Sequence, residues 1–149
     1  MKYMKEALKE AKKAYLKNEV PVGCVIVLND KIIARAHNLR ESKKQADAHA
    51  EILAIKKACK KIGDWRLEEC SMYVTLEPCP MCSGAIINSR IRNLYFGAFD
   101  QKMGAAGSVL NLFNYKFNHQ VNVFPQVMEE ECSEILKDFF KDLRNNKLS

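Results

Sequence analysis

The residues able to do chemistry fall in two separate stretches, Ala48-His49-Ala50-Glu51 and Pro78-Cys79-Pro80-Met81-Cys82. One imidazole and two thiols brought to a common point offer a metal three donors, one fewer than the closed tetrahedral shell of a structural zinc site. A fourth position is then left for water or substrate. Glu51, two residues beyond His49, is placed to move protons at whatever fills it. The chemistry that these residue types support together is metal-assisted hydrolysis.

Spacing alone does not join the two stretches, because the segments between them set the distance. Taken by itself, a C-x-x-C that follows a strand and opens a helix also describes a thioredoxin-like redox pair or part of a structural zinc knuckle. A knuckle needs a fourth ligand. Cys24, Cys70 and Cys132 fall in apolar patterned segments and Cys59 lies within a helix, so buried apolar cysteine is the simpler reading for each. His37 and His119 read as histidines satisfied by ordinary hydrogen bonds. What favours hydrolysis is the combination of H-x-E with P-C-x-x-C, the signature of zinc-dependent nucleobase deaminases. There the glutamate does not ligate. It takes a proton from water, delivers it to the ring nitrogen and helps the amine leave as ammonia.

The elements that must position these residues belong to an ordinary globular chain. With 149 residues, 48% of them hydrophobic and 28% charged, and with no biased tract, one domain over residues 1–149 is expected. The net charge of +6 and pI near 9.0 suit a polyanionic partner such as nucleic acid, and equally suit plain solubility. Lys2, Lys5, Lys9, Lys12, Lys13 and Lys17 read as the solvated face of a first helix. Six cysteines without a secretory leader pattern, two of them in C-x-x-C, point to a reducing cytoplasm. The longest apolar run, Val20 to Leu28, contains a Pro and a Gly and is far too short to span a bilayer, so no membrane role is expected.

Periodicity predicts a helix from residue 2 to about 17 on Met4, Leu8, Ala11 and Tyr15. A hairpin follows, Val22 to Leu28 and Ile32 to Ala36 around Asn29-Asp30, and then a loop from Leu39 to Asp47. The next helix begins near Ala48, buries Ile52, Ile55 and Ile62, and stops at Gly63. A strand from Cys70 to Leu76 leads to a helix from Pro80 to Ser89, with proline in its first turn. His49 and Glu51 open one helix, therefore, and Cys79 and Cys82 open the other. Helix N-termini carry free N–H groups and partial positive charge, which favour thiolate. Ile91 to Phe96 reads as a fourth strand and Gly97 to Ser108 as a functional loop. Val121 to Phe124 reads as a fifth strand. A closing helix runs from Met128 to about Arg144 on Met128, Cys132, Ile135, Leu136, Phe139 and Phe140. This order implies an α/β fold with one central mixed sheet and helices on both faces.

Over nearly its whole length the sequence resembles the bacterial tRNA-specific adenosine deaminases of the cytidine deaminase-like superfamily. The residues that carry the resemblance include Glu19-Val20-Pro21-Val22-Gly23, His37-Asn38, Ala48 to Ile55, Trp65-Arg66-Leu67 and Tyr73 to Cys82. Gly97-Ala98, Gly104-Ala105-Ala106-Gly107-Ser108, Asn118-His119 and Phe139-Phe140 extend it. The zinc signature marks only the superfamily; the G-A-A-G-S loop and the C-terminal matches point to the tRNA branch.

The resemblance implies a three-layer α/β/α sandwich on a five-stranded sheet, a cytoplasmic homodimer, and conversion of the wobble adenosine of an arginine tRNA to inosine. It implies one zinc ion per chain on His49, Cys79 and Cys82, with Glu51 as proton shuttle. Asn38 would hydrogen-bond the flipped base and Asp100 the ribose. Ala50 and Lys102 would join the substrate surface, and Phe140, Lys141 and Arg144 would meet the anticodon stem and loop. In place of the usual Pro and small hydroxyl residue ahead of the histidine stands Gln45-Ala46-Asp47. Phe99 replaces a common basic residue and Gln126 a common glycine. Two other functions share parts of this pattern: a free-base or nucleotide deaminase, such as a guanine deaminase, and a noncatalytic zinc or redox protein that binds RNA.

Overall fold

The computed structural model describes residues 1–145, so the last four residues of the expected single domain lie outside the described residues. Its elements are α1 (Lys2–Leu16), β1 (Gly23–Leu28), β2 (Lys31–His37), α2 (Arg40–Lys43), α3 (Ala50–Ile62), β3 (Ser71–Leu76), α4 (Pro80–Asn88), β4 (Asn93–Ala98), β5 (Asn122–Phe124) and α5 (Glu129–Arg144). The sheet runs in the order β2-β1-β3-β4-β5. β1 is antiparallel to β2 and β3, whereas β3, β4 and β5 are parallel. This is the expected three-layer α/β/α arrangement on a mixed five-stranded sheet.

The hairpin turns tightly because Asn29 and Asp30 both adopt left-handed backbone, at φ 51° and 63°, the pairing that matches strand twist. Alternation along the strands then divides the side chains between two layers. Ile26, Val74, Leu94 and Phe96 pack on one face with Ala50, Ala54 and Ala58 of α3 and Ile86 of α4. Val25, Val27 and Ala98 pack on the other with Met4 and Ala7 of α1 and Cys132 of α5.

Several elements differ from the periodicity. α1 buries Met4, Ala7, Ala11 and Ala14 instead of centring on Leu8 and Tyr15. The reason lies across the interface: a Cβ on Gly23 would collide with the Ala7 carbonyl oxygen, so helix and strand backbones touch and only small side chains fit between them. α3 likewise buries Ala50, Ala54 and Ala58, while Ile62 is exposed and Ile52 and Ile55 are half-buried. The stretch expected as a loop contains the one-turn helix α2. β4 begins two residues later than expected, because the buried Ile91 still donates its N–H back to the Ile86 carbonyl of α4 at 3.3 Å. Phe140 is exposed, and Cys132 and Phe139 are the buried residues of α5. The six lysines of the first helix and its C-terminal cap are all exposed, as expected. Among the described residues, no helix is long and apolar enough to cross a membrane.

Candidate active site

Beyond the carboxyl end of β3 lies a pocket, where ligands of open α/β sheets commonly bind. The first turns of α3 and α4 meet there. His49 is the N-cap of α3 and Cys79 the N-cap of α4, both in extended backbone, and Cys82 lies in the first turn of α4 with Pro80 beside it. The two stretches that the sequence left unconnected are therefore adjacent. His49 Nδ1 stands 3.7 Å from Cys79 Sγ and 3.5 Å from Cys82 Sγ, and the three donor atoms all lie within 4.8 Å of one another.

Those separations test whether a zinc ion would fit. With Zn–S near 2.3 Å and Zn–N near 2.05 Å at a tetrahedral angle, sulfur and nitrogen are about 3.6 Å apart. The observed pair of distances brackets that value. No other cysteine joins the group: Cys24, Cys70 and Cys132 are buried apolar thiols and Cys59 is half-buried. His37 is held by Glu10 at 2.9 Å and Lys17 at 3.0 Å, and His119 Nε2 lies 2.8 Å from the Ile91 carbonyl oxygen, so both are satisfied elsewhere.

The electrostatics are uneven in a useful way. A hydrogen bond from Cys82 pulls the Cys79 thiol down to about 4, with His49 adding to the effect against the cost of burial. The same bond to Cys79, together with burial and the Glu51 charge, raises Cys82. Contact with Cys79 raises His49. Glu51 is 4% exposed; burial pushes its carboxyl up to about 7, with the Cys79 charge reinforcing the shift and His49 opposing it. The surroundings thus favour thiolate at Cys79, while burial favours the protonated form of Glu51.

Asn38, Ala50 and Asp100 also line the pocket. Asn38 is fixed by two bonds: its Nδ2 donates to the Val20 carbonyl at 3.2 Å and its Oδ1 accepts from the Arg40 N–H at 3.2 Å. One N–H and one lone pair remain for a ligand. Asp100 Oδ1 caps its own turn, accepting from the N–H groups of Lys102 at 3.0 Å and Met103 at 3.1 Å. Lys102, Phe140 and Arg144 are exposed and stand outside the pocket lining. Gln45, Ala46 and Asp47 are exposed, with the Asp47 carbonyl accepting from the His49 N–H at 2.8 Å. Phe99 packs edge-on against Phe96, and Gln126 has φ 64°, a conformation that glycine would adopt more easily.

Sequence reasoning assigned no role to Glu19, Arg40, Glu41, Glu77 or Met103, all of which line the pocket. Glu19 and Glu77 were visible only as members of the runs Glu-Val-Pro-Val-Gly and Leu-Glu-Pro-Cys.

Comparison with known proteins shows what the chain as a whole resembles. Residues 1–144 match the MafB19-like deaminase family. The chain is 57% identical over 146 residues to a tRNA-specific adenosine deaminase of Bacillus subtilis (strain 168), covering 97% of this chain and 91% of that protein. It is 50% identical over 145 residues to the protein of the same name in Aquifex aeolicus (strain VF5), covering 97% and 95%. A solved structure from a study of A-to-I editing by tRNA:A34 deaminases at the wobble position of transfer RNA superposes with a TM-score of 0.87 at 43% identity, over 91% of this chain and all of that one. A guanine deaminase from Bacillus subtilis superposes with a TM-score of 0.65 at 31% identity, over 97% of this chain and 92% of that one.

Proposed function

The chain belongs to the MafB19-like deaminase family and to the tRNA-specific adenosine deaminases, and from that premise we propose that its pocket converts the wobble adenosine of an arginine tRNA to inosine. The observation that carries the proposal is the meeting of His49, Cys79 and Cys82 at tetrahedral separations with Glu51 in the same pocket. These three residues would hold one zinc ion per chain. Zinc bound there supplies Lewis acidity that makes a water nucleophilic near neutral pH.

The chain's own residues do the rest. Glu51 accepts a proton from the attacking water and passes it to the ring nitrogen, then takes the second proton from the hydroxyl now on the base carbon and delivers it to the amine, which leaves as ammonia while the carbonyl forms. Asn38 offers its spare N–H and lone pair to the edge of the extruded base, while Ala50 leaves room for the ring. Asp100 receives the ribose hydroxyl with the oxygen that its turn does not use. A base in an anticodon loop costs less to extrude than one in a duplex, which suits this pocket. Outside it, Lys102, Phe140, Lys141 and Arg144 contact the stem and loop, and the charge of +6 favours that polyanion.

A homodimer belongs to the same proposal. Met103, Val109, Leu110, Tyr115 and Phe117 are exposed apolar side chains between β4 and β5, a feature of surfaces that pair. Light scattering at micromolar concentration should give twice the mass of one chain; a single-chain mass contradicts it.

The free-base reading keeps a specific observation in its favour, the 31% identical guanine deaminase, which has a like fold. One experiment separates the two: count zinc per purified chain, then offer adenosine, guanine and an arginine tRNA with adenosine at the wobble position. Inosine should appear only in the tRNA. Activity on guanine alone would contradict the proposal.

A further inference from the structure

Glu77 opens the segment that follows β3, two residues ahead of Cys79, and is 2% exposed. A carboxylate so far from water is unfavourable unless donors surround it. Four do. Oε1 accepts from the N–H of Asp100 at 2.9 Å and from the Ser108 hydroxyl; Oε2 accepts from the N–H groups of Ala106 at 2.9 Å and Ser108 at 3.0 Å. Every one of these donors comes from residues 100–108, and among the described residues no cation pairs with Glu77.

The backbone repeats the connection. Glu77 N–H donates to the Ala98 carbonyl at 2.8 Å, and Ala105 N–H donates to the Pro78 carbonyl at 2.9 Å. Gly104 closes the arrangement, since a Cβ there would collide with the carboxylate carbon and both oxygens. The loop is wound around a buried anion. From that loop Asp100 and Met103 enter the pocket, and from the same segment as Glu77 comes Cys79.

We propose that Glu77 is a positioning residue: it fixes the distance between the metal-binding segment and the substrate-facing wall, and so sets substrate affinity through Asp100. This inference rests on the deaminase reading of the pocket. Glutamine is nearly the same size but cannot replace the carboxylate. Whichever way its amide points, its NH2 group faces at least one backbone N–H, that of Asp100 on one side or those of Ala106 and Ser108 on the other, which is left without an acceptor.

The test uses the full zinc-loaded chain and an RNA hairpin carrying an arginine anticodon with adenosine at the wobble position. In Glu77→Gln, KM should rise on the order of tenfold or more, zinc per chain should stay at the wild-type value, and hydrogen exchange at the amides of Asp100, Ala106 and Ser108 should quicken. Adding Asp100→Asn should raise KM little further, because the two changes act through one contact. Ser108→Ala, which removes one donor, should shift KM and exchange in the same direction by less. A wild-type KM with unchanged exchange overturns the inference, as does a Tm loss with KM unaltered. If Glu77→Gln does not fold, Ser108→Ala and Gly104→Ala decide, and a wild-type KM in both overturns it. The exchange measurement stands apart from activity. A wild-type chain that deaminates no RNA removes the reading of the pocket, whereas the exchange of residues 100–108 still reports on whether Glu77 holds the loop.

Discussion

The half of the pocket that carries His49, Glu51, Cys79 and Cys82 stands on the first turns of two helices backed by the sheet. The half that carries Asn38, Glu41, Asp100 and Met103 stands on segments with no element longer than one turn. Each of those segments is instead tied to a buried carboxylate. Glu19 accepts from the N–H groups of Glu41 at 3.0 Å and Ser42 at 2.6 Å, and from the Ser42 hydroxyl at 2.6 Å. Glu77 does the same for residues 100–108. Regular helices place chemical groups through their own geometry, whereas loops need an external anchor. Hydrogen bonds to a charged acceptor are roughly twice as strong as neutral ones, which makes a buried carboxylate a good one.

The comparison can be broken most severely on the helical side. Cys82→Ala removes a donor with no substitute nearby; zinc should fall below one per chain and all measurable deamination should disappear, as metal analysis and an inosine assay would show. On the recognition side the effect should be partial. Asn38→Ala leaves a hydrogen bond to the base unmade and should cost about 1–3 kcal/mol in kcat/KM, with zinc retained. Equal loss of zinc in that variant would mean the two halves are not separable.

Glu19 sharpens the comparison through pH. Burial opposes its charge, but the Ser42 hydroxyl and the two backbone N–H groups more than offset burial, so its carboxyl lies below the ordinary value of 4.5. A depressed carboxyl stabilises the fold above its unfolded value, and that contribution is lost as pH falls from 4.5 through the lower folded value. Urea midpoints should therefore fall more steeply with acid in the wild type than in Glu19→Gln. Parallel curves would show that Glu19 is not an anchor. The smallest functional effect belongs to a change outside both halves. Gly23→Ala forces α1 off β1 and should cost about 1–3 kcal/mol of stability while kcat of the folded protein stays near wild type.

The helical half was legible in the sequence because its signal is local. H-x-E and P-C-x-x-C each fall within one helical turn and its approach, and only their meeting required the fold. On the loop side, the resemblance named Asn38 and Asp100, which do line the pocket, but not the carboxylates that anchor their segments. A lone glutamate reads as a solvated charge, and the donors that bury Glu19 and Glu77 lie 22 to 31 residues away. The helix faces were misjudged for a related reason. Periodicity weights isoleucine over alanine, yet α3 packs through Ala50, Ala54 and Ala58 because small side chains let helix and sheet approach closely. α2 was missed because a single turn has no period to detect.

The most direct measurement compares wild type with Glu51→Gln, both loaded with zinc, on a tRNA carrying adenosine at the wobble position. The account predicts equal zinc in the two proteins, inosine formation by the wild type, and a loss of about 10²- to 10⁴-fold in kcat for the variant. Deamination by Glu51→Gln at the wild-type rate would contradict it.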